Sequence, residues 1–218
     1  MNKKAQFFPL KDENPSKTFP IVNILIIAAN AIIFFLSLSD FEYFINSYGF
    51  TPANFSLLTL FTSMFLHGGI AHIFGNMWFL YIFGDNVEDV LGKSKYFAFY
   101  IAAGIFASLS HYFLNIGSNV PAVGASGAIS GVLGAYIVFF PHVGVYVGGY
   151  FGHVGKVSAK FMLGIWFLFQ LFSGAFSLFG AQGGIAFFAH IGGFVFGAGF
   201  ALLHKNFSRR NLKASKSL

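Results

Sequence analysis

The feature that most constrains this chain is the length of its uncharged stretches. From Tyr96 to Gly155 there is no Asp, Glu, Lys or Arg, and only 9% of all 218 residues are charged. Soluble domains carry about 25% charged residues, and a soluble fold could not cover its surface with so few. The composition therefore predicts a membrane protein with several spanning helices. The absence of cysteine excludes disulfides and thiolate metal sites.

Six apolar segments are long enough to cross about 30 Å of hydrocarbon, which takes about 20 helical residues. We number them one to six: Thr18–Ser39, Leu66–Gly84, Tyr96–Ile116, Gly124–Phe140, Phe161–Phe179 and Ile185–His204. The predicted fold class is an all-α polytopic membrane protein, a six-transmembrane-helix bundle. Residues 20–204 form its membrane domain, between a basic N-terminal segment (1–19) and a basic C-terminal tail (205–218). No small-residue cleavage site follows segment one, so we expect a retained helix.

The basic residues indicate the orientation of the bundle. If six helices cross the membrane, both termini and the second and fourth loops share one side, and all thirteen Lys and Arg residues fall there. The positive-inside rule then places both termini in the cytoplasm and the protein in the inner, cytoplasmic membrane. Contact with anionic headgroups explains the net charge of +6, so we expect the lipid bilayer and not nucleic acid as a partner.

Polar residues collect in the outer halves of segments two, four and six. Segment two carries HGGIAHIFGNM (His67–Met77), segment four GASGAISG (Gly124–Gly131) and segment six AHIGGFVFG (Ala189–Gly197). All three segments begin on the outer side, so these residues converge in one leaflet. Because ionisable groups inside a membrane are costly, such a cluster indicates a functional site.

Ser126 is the residue in this cluster best suited to act as a nucleophile. In the first turn of a helix it lies beside backbone N–H groups that lack intrahelical partners and can hold an oxyanion. A lone serine among glycines more often serves close helix packing, so His190 decides the interpretation. Gly193 and Gly197 form a smooth stripe that lets segments four and six approach, which brings His190 within reach of Ser126. No Asp or Glu lies in an outer half-helix, so we predict a Ser–His dyad.

His72 and Asn76 are four residues apart and share one face of segment two. Both side chains offer hydrogen-bond donors, and beside Ser126 they would serve an oxyanion. The competing interpretation is a zinc site with three histidine ligands. The spacing of His67 and His72 does not match the H-E-x-x-H pattern, and no acidic or thiolate partner is near. We therefore expect no metal and no other cofactor.

The motifs together resemble those of the rhomboid family of intramembrane serine proteases, in its bacterial, six-helix form. They occur in the family's order and on its helices two, four and six: HGGIAHIFGNMWFLYIFGDNVEDVLG (His67–Gly92), GASGAISGVLGAY (Gly124–Tyr136) and AHIGGFVFG (Ala189–Gly197). The resemblance covers nearly the whole chain. It implies an endopeptidase that cuts other transmembrane proteins in or near their membrane segments.

The resemblance also implies a role for each matching residue. Ser126 is the nucleophile and His190 the general base, while His72, Asn76 and the Ser126 N–H hold the oxyanion. The G-x-S-G motif contains Gly124 and Gly127, and the close contact between helices six and four uses Gly193 and Gly197. Structural roles are implied for His67 and for Glu88, at the cytoplasmic end of segment two. The active site opens to the outer side.

Two departures from the family pattern affect the site. The position one turn after the nucleophile is Ser130, where some members carry an aromatic that packs on the histidine, so the residue that orients His190 is left open. The first loop, Ser39–Phe65, lacks the Trp-Arg pair of some members. We also expect Phe179–Ala186 to act as a cap and segment five as a lateral gate. The alternatives are a small transporter or channel, or a non-catalytic binder of membrane proteins, of unknown oligomeric state.

Overall fold

The structure is a computed structural model, described here for residues 8–148, 154–177 and 186–215. The helices are α1 (Ile21–Ser37), α2 (Phe41–Tyr48), α3 (Leu57–Thr62), α4 (Ile70–Leu91), α5 (Lys93–Leu114), α6 (Ser126–Phe139), α7 (Ala159–Ser177) and α8 (Phe187–Ser215). Three strands are β1 (Phe8–Asp12), β2 (Gly144–Gly148) and β3 (Val154–Ser158). Predicted segments one to six overlap α1, α4, α5, α6, α7 and α8, but α4 begins and ends later than segment two, and α8 continues to Ser215, into the predicted C-terminal tail. The short helices α2 and α3 lie in the first loop.

The described helices include three or four candidates for membrane spans. By length and composition α5, α7 and α8 each qualify, and residues 57–65 with α4 form a fourth candidate that is bent by 87°. The apolar helices α1 and α6 are shorter, with 17 and 14 residues. The chain is therefore a mainly helical membrane protein, and the count of six crossings stays a prediction.

The short helix α6 forms the centre of the bundle. Every residue from Gly127 to Tyr136 is buried, because α4, α5 and α8 all pack around this helix. Large apolar side chains instead face outward from the surrounding helices, as at Phe35, Ile70 and Leu203, whose exposed fractions are 70%, 77% and 72%. So much exposed apolar surface is what a lipid-facing protein presents.

Helices α6 and α8 lie in backbone contact along their small residues. A Cβ atom added to Gly197 would collide with the backbone of Gly131, and one added to Gly193 would collide with the carbonyl of Gly127. At Gly134 the obstacle would be the backbone of α8. The predicted close contact of segments four and six is therefore present, and it fixes how the starts of α6 and α8 face each other.

The two ends of the bundle differ, and we call them the site end and the sheet end. The site end holds the first residues of α4, α6 and α8. At the sheet end, β2 is the central strand of a small antiparallel sheet, with β1 on one side and β3 on the other. The sequence analysis treats residues 1–19 as a separate segment, but residues 8–12 form a strand on a hairpin of the membrane domain, where Trp78 Nε1 donates to Pro9 O at 2.7 Å.

Carboxylates fix helix ends at the sheet end. Glu88, which is buried, accepts from the backbone N–H groups of Val22 and Asn23 at 3.2 and 2.8 Å. These N–H groups belong to the first turn of α1 and have no intrahelical partner. The structural role expected for Glu88 is therefore a cap that ties α1 to α4.

Candidate active site

The site is built around the contact between Ser126 and His190. Ser126 is the first residue of α6 and His190 lies in the first turn of α8, so both side chains come to the site end. The Oγ of Ser126 lies 2.8 Å from Nε2 of His190. The glycine contact of α6 with α8 sets this distance. The sequence predicts this proximity, and the hydrogen bond is the one that a serine needs for activation by a histidine.

The backbone before Ser126 has a conformation that only glycine adopts readily. Gly124 has φ of +128°, and a Cβ atom there would lie 2.8 Å from Nε2 of His72. Its N–H donates to Ser63 O at 2.9 Å, which ties this stretch to the first loop. Gly124 therefore brings the backbone directly against α4 just before the nucleophile.

His72 presents a donor to this stretch. Its Nδ1 accepts from the backbone N–H of Gly68 at 3.2 Å. A neutral imidazole that accepts at Nδ1 carries its hydrogen on Nε2, and Nε2 is the nitrogen beside Gly124. The local fold thus selects the tautomer that can donate to an oxyanion next to Ser126.

Asn76 offers a second donor beside the same glycine. Its side chain is buried, and within the described residues its Nδ2 has no hydrogen-bond acceptor. A Cβ atom on Gly124 would lie 3.6 Å from this nitrogen. Because an unpaired buried amide is costly, Asn76 Nδ2 is the orphaned group that a bound anion or carbonyl oxygen would satisfy.

Two residues of α7 contact His190, and the sequence analysis missed both. The Oε1 of Gln170 lies 2.8 Å from His190 Nδ1, and the ring centroid of Trp166 lies 6.1 Å from that of His190. Ser130 does not reach the histidine, since its hydroxyl donates to Ser126 O at 2.6 Å. One feature of the sequence could have indicated Gln170. It is the single side-chain amide in the apolar run of segment five, and an amide inside a membrane needs a hydrogen-bond partner.

A small cavity lies on the other side of Ser126 and has space for about two water molecules. His111 of α5 lines it together with Ser108, Ser63 and Gly127. His111 was not among the residues predicted from the sequence for this site, and the structure brings it to the same cavity as Ser126. His67 is fully buried, with its ring centroid 5.1 Å from that of His72.

Two expectations remain for this end, a cap and a gate, together with the competing interpretation of a zinc site. Of the predicted cap, Phe179–Ala186, all residues but Ala186 lie outside the described residues. The predicted gate is α7, which packs mainly on α8. Within the described ranges, no group of three or more His, Cys, Asp or Glu could hold a metal ion.

Comparison with known proteins shows which family the chain resembles. A family model of the Rhomboid domain matches residues 54–206. The presenilin-associated rhomboid-like protein, mitochondrial, of Mus musculus is 32% identical over 125 residues, covering 53% of this chain and 32% of the relative. The rhomboid protease GluP of Bacillus subtilis (strain 168) is 41% identical over 78 residues, covering 36% of this chain and 15% of the relative.

A yeast relative gives a similar match. Rhomboid protein 1, mitochondrial, of Saccharomyces cerevisiae is 35% identical over 91 residues, covering 40% of this chain and 26% of its own length. The matched region thus spans about a third or less of each of these three relatives. The family model, by contrast, covers more than half of this chain. This chain therefore belongs to the rhomboid family.

Proposed function

We propose that this chain is an intramembrane serine endopeptidase that cleaves transmembrane proteins in or near their membrane segments. The observation that carries the proposal is the 2.8 Å contact between Ser126 Oγ and His190 Nε2. Two donors, His72 and Asn76, converge on Gly124 next to this pair. A nucleophile, its base and donors for the oxyanion are the three parts that acyl transfer needs.

The proposed reaction follows from where each proton starts. Ser126 attacks the scissile carbonyl carbon while its Oγ proton moves to His190 Nε2. The carbonyl oxygen becomes an oxyanion, which accepts from the Ser126 N–H, His72 Nε2 and Asn76 Nδ2. His190 then gives its proton to the leaving amine as the C–N bond breaks. A water, deprotonated by the same histidine, hydrolyses the acyl-enzyme and frees Ser126.

The same proposal includes six crossings, with the sheet end in the cytoplasm and the site opening to the outer side. The helices α1, α4, α5, α6, α7 and α8 begin in turn at the sheet end and at the site end, and Lys93, Lys160 and Lys205 are among the basic residues at the sheet end. At 1.5 Å per residue, α6 is about 21 Å long, against about 30 Å of hydrocarbon. Its first residue, Ser126, would then lie below the membrane surface, where a substrate helix can reach it.

The substrate would enter laterally, past α7. This helix packs mainly on α8. We propose that α7 moves away from α4 to admit the substrate. Because the chain has no cysteine, one introduced pair can crosslink α4 to α7 without competing thiols. We expect the crosslink to stop cleavage of a membrane substrate and reduction to restore it; unchanged cleavage would exclude this gate.

The test of the proposed function is labelling of purified, detergent-solubilised protein with a fluorophosphonate probe. Wild type should be labelled at Ser126, as located by mass spectrometry, and Ser126→Ala and His190→Ala should not. Ser177→Ala is the matched control, since that hydroxyl donates to Gly174 O of its own helix, α7, at 2.7 Å. Folded wild type that neither labels nor cleaves a transmembrane substrate would refute the proposal.

The alternatives have their own outcomes in this design. Transport by proteoliposomes that survives Ser126→Ala would favour a transporter or channel. Partner capture that survives the same substitution, with no cleavage by wild type, would favour a binder.

A further inference from the structure

The side of His190 that faces away from the nucleophile is also hydrogen-bonded. Its Nε2 contacts Ser126 Oγ and its Nδ1 contacts Gln170 Oε1, both at 2.8 Å. Gln170 is buried in α7, within residues 165–172, whose other side chains are apolar or aromatic. Three helices, α6, α7 and α8, thus contribute one residue each to a continuous chain of hydrogen bonds.

The chemistry of a general base fixes the direction of this chain. His190 can take a proton from Ser126 only if Nε2 carries none, so a neutral ring must hold its hydrogen on Nδ1. A hydrogen on Nδ1 needs an acceptor, and the amide oxygen of Gln170 is the atom at that distance. In the other tautomer, Nε2–H would point at the nucleophile and the base would be blocked.

No carboxylate is available for this task at the site end. The two acidic residues in the first loop are Asp40 and Glu42, which are exposed at the start of α2. The other five acidic residues of the chain lie in β1, directly after it or in the last turns of α4, at the sheet end. The acceptor for His190 Nδ1 is thus a neutral amide, which fixes the tautomer without supplying a negative charge.

We propose that Gln170 is the positioning residue of the site, so that the predicted Ser126–His190 dyad is extended by a hydrogen bond from His190 Nδ1 to Gln170. The inference rests on the proposed function for its catalytic meaning and on the hydrogen bond for its geometry. Gln170 does not touch the reacting atoms. It holds the imidazole ring in place and keeps Nε2 free to accept the proton.

The first arm of the test compares two near-isosteric variants. Gln170→Met keeps the shape but removes the acceptor, whereas Gln170→Glu keeps an acceptor oxygen. Loss of the aspartate's orienting role in soluble triads costs about 10⁴-fold in kcat. A neutral amide supplies orientation without charge, so we expect Gln170→Met to lower the labelling rate and kcat by roughly 10–100-fold, with KM unchanged. Gln170→Glu should recover most of that loss.

The control for the first arm is Phe169→Met, on the lipid-facing side of the same turn of α7. This variant should label at the wild-type rate. Equal labelling rates in wild type and Gln170→Met, both folded, would overturn the proposal. So would an equal loss in Phe169→Met, because the effect would then belong to α7 packing.

The second arm reads the tautomer directly and does not depend on catalysis. Ring-nitrogen ¹⁵N spectra distinguish the nitrogen that carries the hydrogen, and the His190 signals are those absent from His190→Ala. Wild type and Gln170→Glu should carry the hydrogen on Nδ1, and Gln170→Met should lose this preference. A wild-type ring with its hydrogen on Nε2, or the same tautomer in Gln170→Met, would overturn the proposal.

The two arms separate this inference from the proposed function. If folded wild type neither labels at Ser126 nor cleaves a transmembrane substrate, the protease proposal fails, while the tautomer still decides the Gln170 contact. If wild type labels and Gln170→Met matches it in both rate and tautomer, only the positioning role fails.

Discussion

The two ends of the bundle hold their polar groups by different means. At the site end Ser126 and Gln170 are each hydrogen-bonded to His190, in a row of three helices that includes no carboxylate. At the sheet end carboxylates accept from backbone N–H groups and hydroxyls, as Glu88 does at α1 and Asp12 does from Tyr136. We infer that the polar groups at the site end serve the proposed reaction, whereas those at the sheet end hold helices and strands together. Substitutions at the site end should change rates, and those at the sheet end should change stability.

The largest expected effect at the site end is loss of an oxyanion donor. His72→Ala and Asn76→Ala should each lower kcat by about 10²–10³-fold, because each removes one donor that acts on the charged intermediate. Both should leave the melting temperature near that of wild type, which circular dichroism in detergent would measure. The matched control is Asn54→Ala, an exposed asparagine in the first loop. Full activity of both variants would contradict the assignment.

A backbone contact at the site end comes next. Gly197→Ala places a Cβ atom against the backbone of Gly131. Overpacking of this kind costs about 1–3 kcal/mol, and a displacement of about 1 Å at reacting atoms costs about 10²-fold in rate. We expect a lower melting temperature together with slower Ser126 labelling.

The control for that prediction lies two residues away on the same helix. A Cβ atom on Gly199 meets nothing within 4 Å, and alanine is the better helix former. Gly199→Ala should therefore match wild type or be slightly more stable. If both alanine variants behaved alike, the close contact of α6 and α8 would not control the site.

At the sheet end the prediction concerns stability alone. Glu88→Gln removes the charge that accepts from the first turn of α1, and hydrogen bonds to charged groups contribute about 1.5–3 kcal/mol. We expect a loss of about 1–3 kcal/mol in unfolding free energy, with the labelling rate of the folded protein unchanged. Glu42→Gln, at an exposed carboxylate, is the control. If fully folded Glu88→Gln labelled at a different rate from wild type, the assignment of separate roles to the two ends would be contradicted.

The smallest expected effect is a pH dependence of the stability of the sheet. The pKa of Asp12 is raised to about 6, because the effect of burial outweighs the opposing hydrogen bond from the Tyr136 hydroxyl and the nearby Asp85 adds to the rise. Between about pH 4 and pH 6 the folded carboxyl keeps a proton that the unfolded one has lost. Stability from this group is therefore present below about pH 4 and lost as the pH rises through about 6.

The readout is the docking of β1, which the indole of Trp78 contacts through Pro9. In a Trp166→Phe background, Trp78 is the single tryptophan. Its fluorescence should report loosening of β1 between pH 4 and pH 7, and Asp12→Asn should reduce that change. An identical titration in Asp12→Asn would show that another group controls the strand.

The helices and the serine–histidine pair could be predicted because their signals are local. Apolar runs mark the helices, and the spacing of Gly193 and Gly197 predicts the contact that brings His190 to Ser126. The partner of His190 could not be predicted in the same way. Nothing in the spacing of α7 specifies which helix face meets α8, so Gln170 remained one amide in an apolar run.

The sheet escaped prediction for a different reason. Residues 8–12 lie in a segment whose lysines suggest a tail at the membrane surface, and their partner strand begins at Gly144. A strand of five residues with one buried side chain carries almost no periodic signal of its own. It also contacts α4, where Trp78 donates to Pro9 and Asn86 donates to Asp12.

The pairing of β1 with β2 has a consequence for biosynthesis. The ribosome makes residues 8–12 before residues 144–148, so the partner strand exists only after Gly148 has been added. At about 5–20 residues per second, the first strand waits roughly 7–30 s while four predicted membrane segments are made. The sheet can therefore form only after the first four predicted membrane segments have left the ribosome. Its formation is a late step in assembly.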